Sequence, residues 1–441
     1  MKNKSLIIYF IAVFLKYLPM NFIYKPLQDD YIQYYAYPRY PNVYNDVIKR
    51  IGILNVRPLA GLFDVYIWGR FWYGMTAVLF IITILYYISF LLFKNVFGKM
   101  GYKTDSGFAI VYLLCPIGFE ATYWISASSR IVVSLFFVSL MLWAVTERKY
   151  ILFNIAFVLS MGFYEQTAFL GSVMLIWVLT ECVKRGYFPK KEIYSCVIVW
   201  SVTFLYYILF AKTGSFGARS ENVGFGVNKV YNTLFAMADG WISTKDLFVG
   251  GMRLSGGLIA VSIIFSLIFL LKCDNVKERP NRKMVLGMIF FISTYIIGMI
   301  IGEKFMPYRC HMPSLIGLGL IADNIINTLT INAKRAVICI MTMFFMLGNM
   351  YQSECYEKIN MYDRLICTDI VNNLSGDYAN EDIYVYNVKP LYIDVLKEYE
   401  RYILPNLTAS DWALTGGVRA FAENLHIKRI VPTETEDVEN E

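Results

Sequence analysis

Residues 71–93 read FWYGMTAVLFIITILYYISFLLF, a run without one charged side chain. A helix of this length, rising 1.5 Å per residue, crosses the hydrocarbon core of a bilayer. Other apolar runs recur along the 441 residues, separated by short charged segments, and hydrophobic residues make up 57% of the chain. The sequence therefore predicts an α-helical polytopic membrane protein.

The apolar runs predict about eleven membrane spans. They lie near residues 6–23, 71–93, 107–124, 131–146, 151–164, 167–182, 193–211, 248–271, 284–302, 314–331 and 336–352. Lys and Arg are denser in alternate connections, such as those with Lys184-Arg185 and Lys334-Arg335, so the N-terminus is predicted to be cytoplasmic. No small-residue cleavage site follows the first run, which predicts an uncleaved anchor. An odd number of spans places the C-terminal tail outside.

Two regions are predicted along the chain: a transmembrane catalytic domain over residues 1–352 and a small extracytoplasmic α/β domain over residues 353–441. The first outside loop, 24–59, is predicted to carry an amphipathic surface helix at 43–54, where apolar residues recur at helical spacing. A second outside loop, 212–247, begins rich in glycine, which is typical of a mobile cover over a site.

The tail has the composition of a soluble segment. Apolar residues at helical spacing from Ile359 to Ile370 predict a helix, and the runs 383–388 and 427–431 predict strands, with another helix over 391–402. Cys355 and Cys367 fall on the first of these helices, where two free thiols are expected and a disulfide is the alternative.

Charge and cysteine spacing narrow the classes of function. The net charge is +7, but the basic residues stand at span ends, as topology signals do, so nucleic-acid binding is not predicted. No CxxC spacing occurs, so neither a zinc site nor a redox motif is predicted. Scarce histidine and frequent Asn, Lys, Ile and Tyr suggest a bacterial source and a location in the plasma membrane.

An acidic pair, Asp29-Asp30, follows the first span on the predicted outer side. Carboxylates beside apolar surface are costly to keep there, so a function is expected of them. One carboxylate could accept a proton from an attacking hydroxyl while the other orients it or binds a metal, with Asp30 the first choice as base. The structural alternative is a helix N-cap or a solvated loop pair.

Two arginines on the same predicted side, Arg57 and Arg309, are candidates for binding a phosphate. The guanidinium group presents a planar fork of donors to anionic oxygens. The alternative for each is contact with lipid headgroups or with a nearby carboxylate. His311 stands two residues after Arg309 and joins the candidate set, although a lone histidine is more often structural.

Three further ionisable residues fall at predicted outer span ends. Glu165, a third candidate catalytic carboxylate, lies between two apolar runs and needs a partner, either a protein arginine or a group of the substrate. Glu120 and Arg130 flank a segment with Trp124 and several serines. These two are expected to pair with each other, and substrate binding is the alternative.

These residues together resemble the GT-C superfamily of polytopic membrane glycosyltransferases. Within it the chain is most similar to the bacterial and phage O-antigen glucosyltransferase group, in which a first-loop Asp-Asp precedes a Gly-Arg-Pro-Leu motif. The matching segments are Gln28-Asp-Asp-Tyr31 and Asn55-Val-Arg-Pro-Leu59, with Val56 in place of the glycine. The likeness of layout covers residues 1–350.

The resemblance implies transfer of a sugar from a polyprenyl-phosphate donor to a hydroxyl of an extracytoplasmic glycan or lipid. Asp30 and Asp29 would then supply the base, and Arg57 and Arg309 would meet the departing phosphate. Some relatives use a divalent metal and others do not, so no cofactor is certain; Asp29 and Asp30 are the candidate ligands.

Two other functions stay open at this point. A polysaccharide polymerase or O-antigen ligase would depend on arginines of a later outside loop, such as Arg219. A transporter or flippase would need ionisable groups deep in the spans, where Lys16 stands almost alone.

Overall fold

The computed structural model describes residues 2–31, 57–69, 74–212, 226–270, 281–301, 306–374, 378–386, 406–422 and 427–433. The predicted surface helix at 43–54, the predicted helix at 391–402, Arg219 and the glycine-rich start of the second outside loop lie outside these residues.

The described chain is mainly helical. Its helices are α1 (Lys2–Leu15), α2 (Asp29–Tyr31), α3 (Pro58–Tyr66), α4 (Met75–Lys99), α5 (Ser106–Leu114), α6 (Phe119–Tyr123), α7 (Ile125–Thr146), α8 (Tyr150–Met161), α9 (Glu165–Lys184), α10 (Lys190–Lys212), α11 (Val227–Gly251), α12 (Gly256–Leu270), α13 (Asn281–Ser293), α14 (Ile296–Ile301), α15 (Leu315–Thr328), α16 (Ile331–Asn373) and α17 (Asp411–Phe421). Two strands, β1 (Tyr378–Tyr386) and β2 (Ile427–Thr433), pair in parallel.

Several of these helices have the length and apolar character of membrane spans. Within the described ranges five qualify, namely α4, α7, α9, the stretch Arg282–Ile300 and α16, and the number rises to seven if two bent helix pairs each count as one span. Large apolar side chains such as Ile151, Ile198 and Phe204 stand exposed on the outer helix faces. Such faces require lipid, so the chain is an α-helical membrane protein. The predicted total of about eleven spans stays a prediction.

The predicted third span is broken. Helices α5 and α6 meet at a bend of 41° after Cys115, where Pro116 begins a short 3₁₀ turn. Asn349 Nδ2 donates to the carbonyl of Leu114 at 2.6 Å, and Gln352 Nε2 donates to the carbonyl of Pro116 at 2.7 Å. Helix α16 thus supplies side-chain donors to carbonyls at the break, which is how a broken helix is tolerated within a membrane.

The predicted eighth span, 248–271, is not one straight helix. Helix α11 continues to Gly251, and α12 begins at Gly256 after a turn of 115°. Glycine is required at the end of α11, because a Cβ on Gly250 would lie 2.1 Å from the ring of Tyr351. Close packing on α16 therefore selects glycines here, and the helix ends at the next residue, Gly251.

Helix α7 separates two groups of ion pairs. At its C-terminal end Glu147 pairs with Lys99, and the pairs Lys334–Asp105 and Lys283–Asp323 belong to the same group. At its N-terminal end lies a second group, described below. With 22 residues, α7 is about 33 Å long. The pairs Lys99–Glu147 and Lys334–Asp105 join connections predicted to share one side of the membrane. Which end faces the cytoplasm stays a prediction.

The long helix α16 joins the membrane region to the tail. It spans 43 residues without a break, so the predicted boundary at 352/353 falls inside one helix. Beyond it, β1 and β2 lie beside α17, and the strand predictions at 383–388 and 427–431 overlap both observed strands. Cys355 and Cys367 are both buried free thiols on α16.

Candidate functional site

Asp30 lies fully buried between two helix ends. Its Oδ2 accepts hydrogen bonds from the Tyr24 hydroxyl and from the backbone N–H of Leu27, the latter at 3.2 Å. Its Oδ1 accepts from the backbone N–H of Ser126 at 2.8 Å, in the first turn of α7. A helix N-terminus offers such unpaired N–H groups, so Asp30 anchors the acidic segment to α7.

Burial also sets the charge of Asp30. It raises the pKa of Asp30 to about 8, although the hydrogen bonds from Tyr24, Ser126 and Leu27 lower it. The carboxyl group therefore holds its proton for most of the time at neutral pH. A buried acid of this kind is a poor proton acceptor.

Asp29, by contrast, is only half-buried. Its Oδ1 faces the indole N–H of Trp412 on α17, which donates across 3.4 Å. The two neighbouring carboxylates therefore differ in environment: Asp30 is enclosed by protein donors, and Asp29 opens toward the tail. Accessibility favours Asp29 as the carboxylate that a substrate can reach.

Arg57 pairs with Glu165 through two hydrogen bonds. Arg57 Nε donates to Oε2 at 2.7 Å and Nη2 donates to Oε1 at 2.6 Å, while the guanidinium lies 4.5 Å from the centre of the Tyr164 ring. The backbone holds this geometry, because the N–H groups of Leu59 and Ala60 donate to the carbonyl of Gly162. The partner expected for Glu165 is thus a protein arginine.

The expected pair between Glu120 and Arg130 was wrong. Arg130 donates from Nε and Nη2 to Asp64 Oδ2, at 3.1 and 2.8 Å, and Ser129 donates to Asp64 Oδ1 at 3.0 Å. Glu120 lies on α6, on the other side of the break at Trp124, and pairs with Arg309. The turn between α6 and α7 points the two side chains toward different neighbours, so closeness in sequence did not make them partners.

Arg309 is held from two sides. Its Nη1 donates to Glu120 Oε1, its backbone N–H donates to Glu120 Oε2 at 3.3 Å, and its guanidinium lies 4.6 Å from the centre of the Trp124 ring. With 29% of its side chain exposed, Arg309 is the most accessible of the three arginines. It can offer further N–H donors to an anion, because a guanidinium carries five.

A hydroxyl–thiol contact links the Arg57 and Arg309 pairs. Tyr164, which stacks on Arg57, has its hydroxyl 3.5 Å from the sulfur of Cys310, the residue after Arg309. The segment 119–130 connects the rest, since it contacts Asp30, Asp64 and Arg309 in turn. The structure therefore brings seven of the eight candidate residues to one end of the helices.

The eighth candidate, His311, lies apart from this polar surface. It is fully buried, and its Nδ1 contacts the Tyr295 hydroxyl at 2.9 Å. Burial lowers the pKa of His311 to about 4, so the ring is neutral at physiological pH. A neutral, enclosed imidazole contributes no charge for binding phosphate.

Polar atoms without partners lie at the junction between α6 and α7. Trp124 Nε1, Ser126 Oγ and Ser128 Oγ are buried and lack hydrogen-bond partners among the described residues. Leaving such groups unpaired costs roughly 1–3 kcal/mol each. Water or a polar ligand at this break would satisfy them.

The acidic pair does not fit a metal site within the described ranges. Both oxygens of Asp30 accept hydrogen bonds from protein donors, which leaves Asp29 as the single accessible carboxylate. Nor do the described residues contain a group of three or more His, Cys, Asp or Glu arranged to hold an ion.

Sequence reasoning missed three residues of this end. Asp64 interrupts the apolar run Leu62-Phe-Asp-Val-Tyr66, a signal of a buried carboxylate that needs a cation. Tyr24 and Trp412 had no comparable signal, because tyrosine and tryptophan are common at membrane interfaces.

No family model, no curated protein and no solved structure matches this chain, so the assignment of the site depends on its geometry and on the short motifs.

Proposed function

We propose that the chain is a membrane glycosyltransferase that moves a sugar from a polyprenyl-phosphate donor to a hydroxyl of an extracytoplasmic glycan or lipid. One observation carries the proposal: an accessible carboxylate, Asp29, shares a helix end with two ordered arginines, Arg57 and Arg309. Transfer from a phosphate carrier needs a base on one side of the reacting carbon and positive charge on the other.

Asp29 accepts the proton of the acceptor hydroxyl in this proposal. The hydroxyl oxygen forms a bond to the anomeric carbon of the sugar, and the bond from that carbon to the carrier phosphate oxygen breaks with its electron pair. Asp30 positions the segment through α7 and stays protonated. This reverses the order expected from the sequence, because Asp30 is the enclosed member of the pair.

Arg57 and Arg309 stabilise the departing phosphate. Glu165 and Glu120 each use part of a guanidinium and fix its plane, so the arginines are ordered before the substrate arrives. Preorganised charge of this kind costs little reorganisation during the reaction. Glu165 is then a positioning residue rather than a base, since both its oxygens contact Arg57.

Analysis of envelope glycans from cells that lack the protein tests the proposal. The cells are complemented at matched expression with wild type, Asp29→Asn, Asp30→Asn and the control Asp369→Asn, which changes an exposed carboxylate of α16. We expect wild type and the control to restore one sugar substituent, Asp29→Asn to abolish it, and Asp30→Asn to keep part of it. Full restoration by Asp29→Asn would reject the carboxylate mechanism.

A further inference from the structure

The tail is fixed to the segment that carries the acidic pair. Tyr31, directly after Asp30, is buried in a second apolar core with Cys367 of α16 and Leu414 of α17. Asn360 Nδ2 donates to the Tyr31 hydroxyl at 3.1 Å and to the carbonyl of Pro26 at 2.6 Å. The tail and the acidic segment therefore share one core.

Trp412 stands at the contact between them. Its neighbours Ala413 and Leu414 are fully buried in the second core, whereas 55% of Trp412 is exposed. Arg429 Nε donates to Asp411 at 2.6 Å and ties the first turn of α17 to β2. A rigid element thus presents an open indole face, and its N–H points to Asp29 at 3.4 Å.

The surface around Trp412 differs from the lipid-facing helices. Large hydrophobic residues exposed on the described ranges from 378 to 433 are all aromatic with a polar group: Tyr384, Tyr386 and Trp412. By contrast, the membrane helices expose aliphatic residues and phenylalanine as well. A surface that faces acyl chains does not require a polar group on each exposed ring. A surface that binds a polar ligand with apolar faces does require such rings.

Charged side chains complete this surface. Arg429 lies between Asp411 and Asp382, and Lys428 contacts Asp382 at 3.1 Å. Tyr384 and Tyr386 alternate with the half-buried Ile383 and Val385 on β1 and share the strand face of Asp382. Aromatic rings beside carboxylates and guanidinium groups suit a sugar, whose C–H face packs on a ring while its hydroxyls form hydrogen bonds.

We propose that Trp412 is the binding platform for the acceptor sugar, which stacks on the indole and directs one hydroxyl to Asp29. This inference rests on the proposed function and adds the acceptor side to it. The hydroxyl proton passes to Asp29, and the oxygen replaces the carrier phosphate at the anomeric carbon. Tyr384 and Tyr386 extend the surface for a longer glycan.

Binding is measured with the full chain in lipid nanodiscs. The probe is envelope polysaccharide isolated from cells lacking the protein, so that its acceptor positions are unsubstituted. We expect Trp412→Ala to weaken binding by about tenfold and Trp412→Phe to retain most of it, since a ring face remains. Tyr194→Ala removes an exposed aromatic of α10 and serves as the control, with binding equal to wild type.

Transfer kinetics separate this inference from the proposed function. Lipid-linked sugars extracted from the same cells serve as donors. We expect Trp412→Ala to raise KM for the polysaccharide by a larger factor than it lowers kcat and Trp412→Phe to keep KM near that of wild type, whereas Asp29→Asn lowers kcat by about 100-fold or more and still binds. Unchanged binding and KM in Trp412→Ala, with Asp29→Asn inactive, would overturn the platform alone. Full activity of Asp29→Asn would overturn the proposed function and the platform with it.

The rival role for Trp412 is an anchor in the membrane interface. Nanodiscs with brominated phospholipid distinguish the two, because bromine quenches tryptophan only at close range. The Trp412 signal is the difference between wild type and Trp412→Phe. We expect the polysaccharide to change the fluorescence of Trp412 and the brominated lipid to leave it unchanged. If the lipid quenches this fluorescence and the polysaccharide has no effect, Trp412 is a membrane anchor and not a binding platform.

Discussion

Arg130 donates from two nitrogens to one oxygen of Asp64, at 3.1 and 2.8 Å, while Glu120, ten positions before it in the chain, pairs with Arg309. Asp64, Glu120 and Glu165 thus each pair with a different arginine. The pairing of each arginine with a different carboxylate holds the guanidinium groups at separate places on one surface.

A double-mutant cycle tests this choice of partners. Asp64→Asn and Arg130→Gln are expected to show a coupling energy of about 1–3 kcal/mol in the free energy of unfolding, because the buried Asp64 and the half-buried Arg130 are in contact. The matched cycle of Glu120→Gln with Arg130→Gln should give a coupling near zero. Unfolding is followed in detergent, and equal coupling in both cycles would contradict the assignment.

Removing Glu165 should destabilise the protein. The Arg57 and Glu165 side chains are only 15% and 16% exposed, so Glu165→Ala leaves a desolvated charge and is expected to cost about 3 kcal/mol in the free energy of unfolding. The control is Glu181→Ala, whose partner Lys184 is 64% exposed, with an expected cost below about 1 kcal/mol. Similar losses in both variants would show that the Arg57 pair is not desolvated.

Stability should fall as pH rises through the range in which Asp30 ionises. The pKa of Asp30 is raised from 3.8 to about 8, so between these values the folded protein binds more protons at this site than the unfolded chain does. The free energy of unfolding therefore decreases from pH 4 toward pH 8 on account of this group. Asp30→Asn is expected to flatten that slope, measured by denaturant unfolding at each pH, and an unchanged slope would place the proton elsewhere.

The amides that serve the break before Pro116 should be costly to remove. Asn349→Leu and Gln352→Leu each leave a carbonyl of the third span without its donor, with an expected cost of about 1–3 kcal/mol in the free energy of unfolding. Asn154→Leu is the control, because its amide bonds within its own helix on an exposed face. An equal effect of all three changes would argue against a special role for α16 at the break.

Local chemistry explains what the sequence could predict. Apolar length indicated most helices, and the cost of a lone carboxylate between apolar runs indicated that Glu165 needs a partner. The acidic pair was found for the same reason. These features depend on a residue and its near neighbours, so they can be read from one chain.

The features that the sequence could not predict depend on tertiary contacts. The split between Asp29 and Asp30 depends on Ser126 and Tyr24, which reach Asp30 from elsewhere in the fold. The glycine at position 250 of α11 is needed because Tyr351 packs against it. No spacing in the sequence encodes these approaches, so the roles of the two acids and the bend in the predicted eighth span could not be foreseen.

Because α16 is unbroken, its length fixes the distance between its two ends. Forty-three residues measure about 65 Å along the axis, roughly twice the hydrocarbon thickness of a bilayer. The distance from the first residue of α16 to its last is thus set by a count of helical turns. One residue inserted into the outer half of this rod would lift everything beyond it by about 1.5 Å and rotate it by about 100°. The chemistry proposed for Asp29 and Trp412 would therefore depend on helical phase as well as on side-chain contacts.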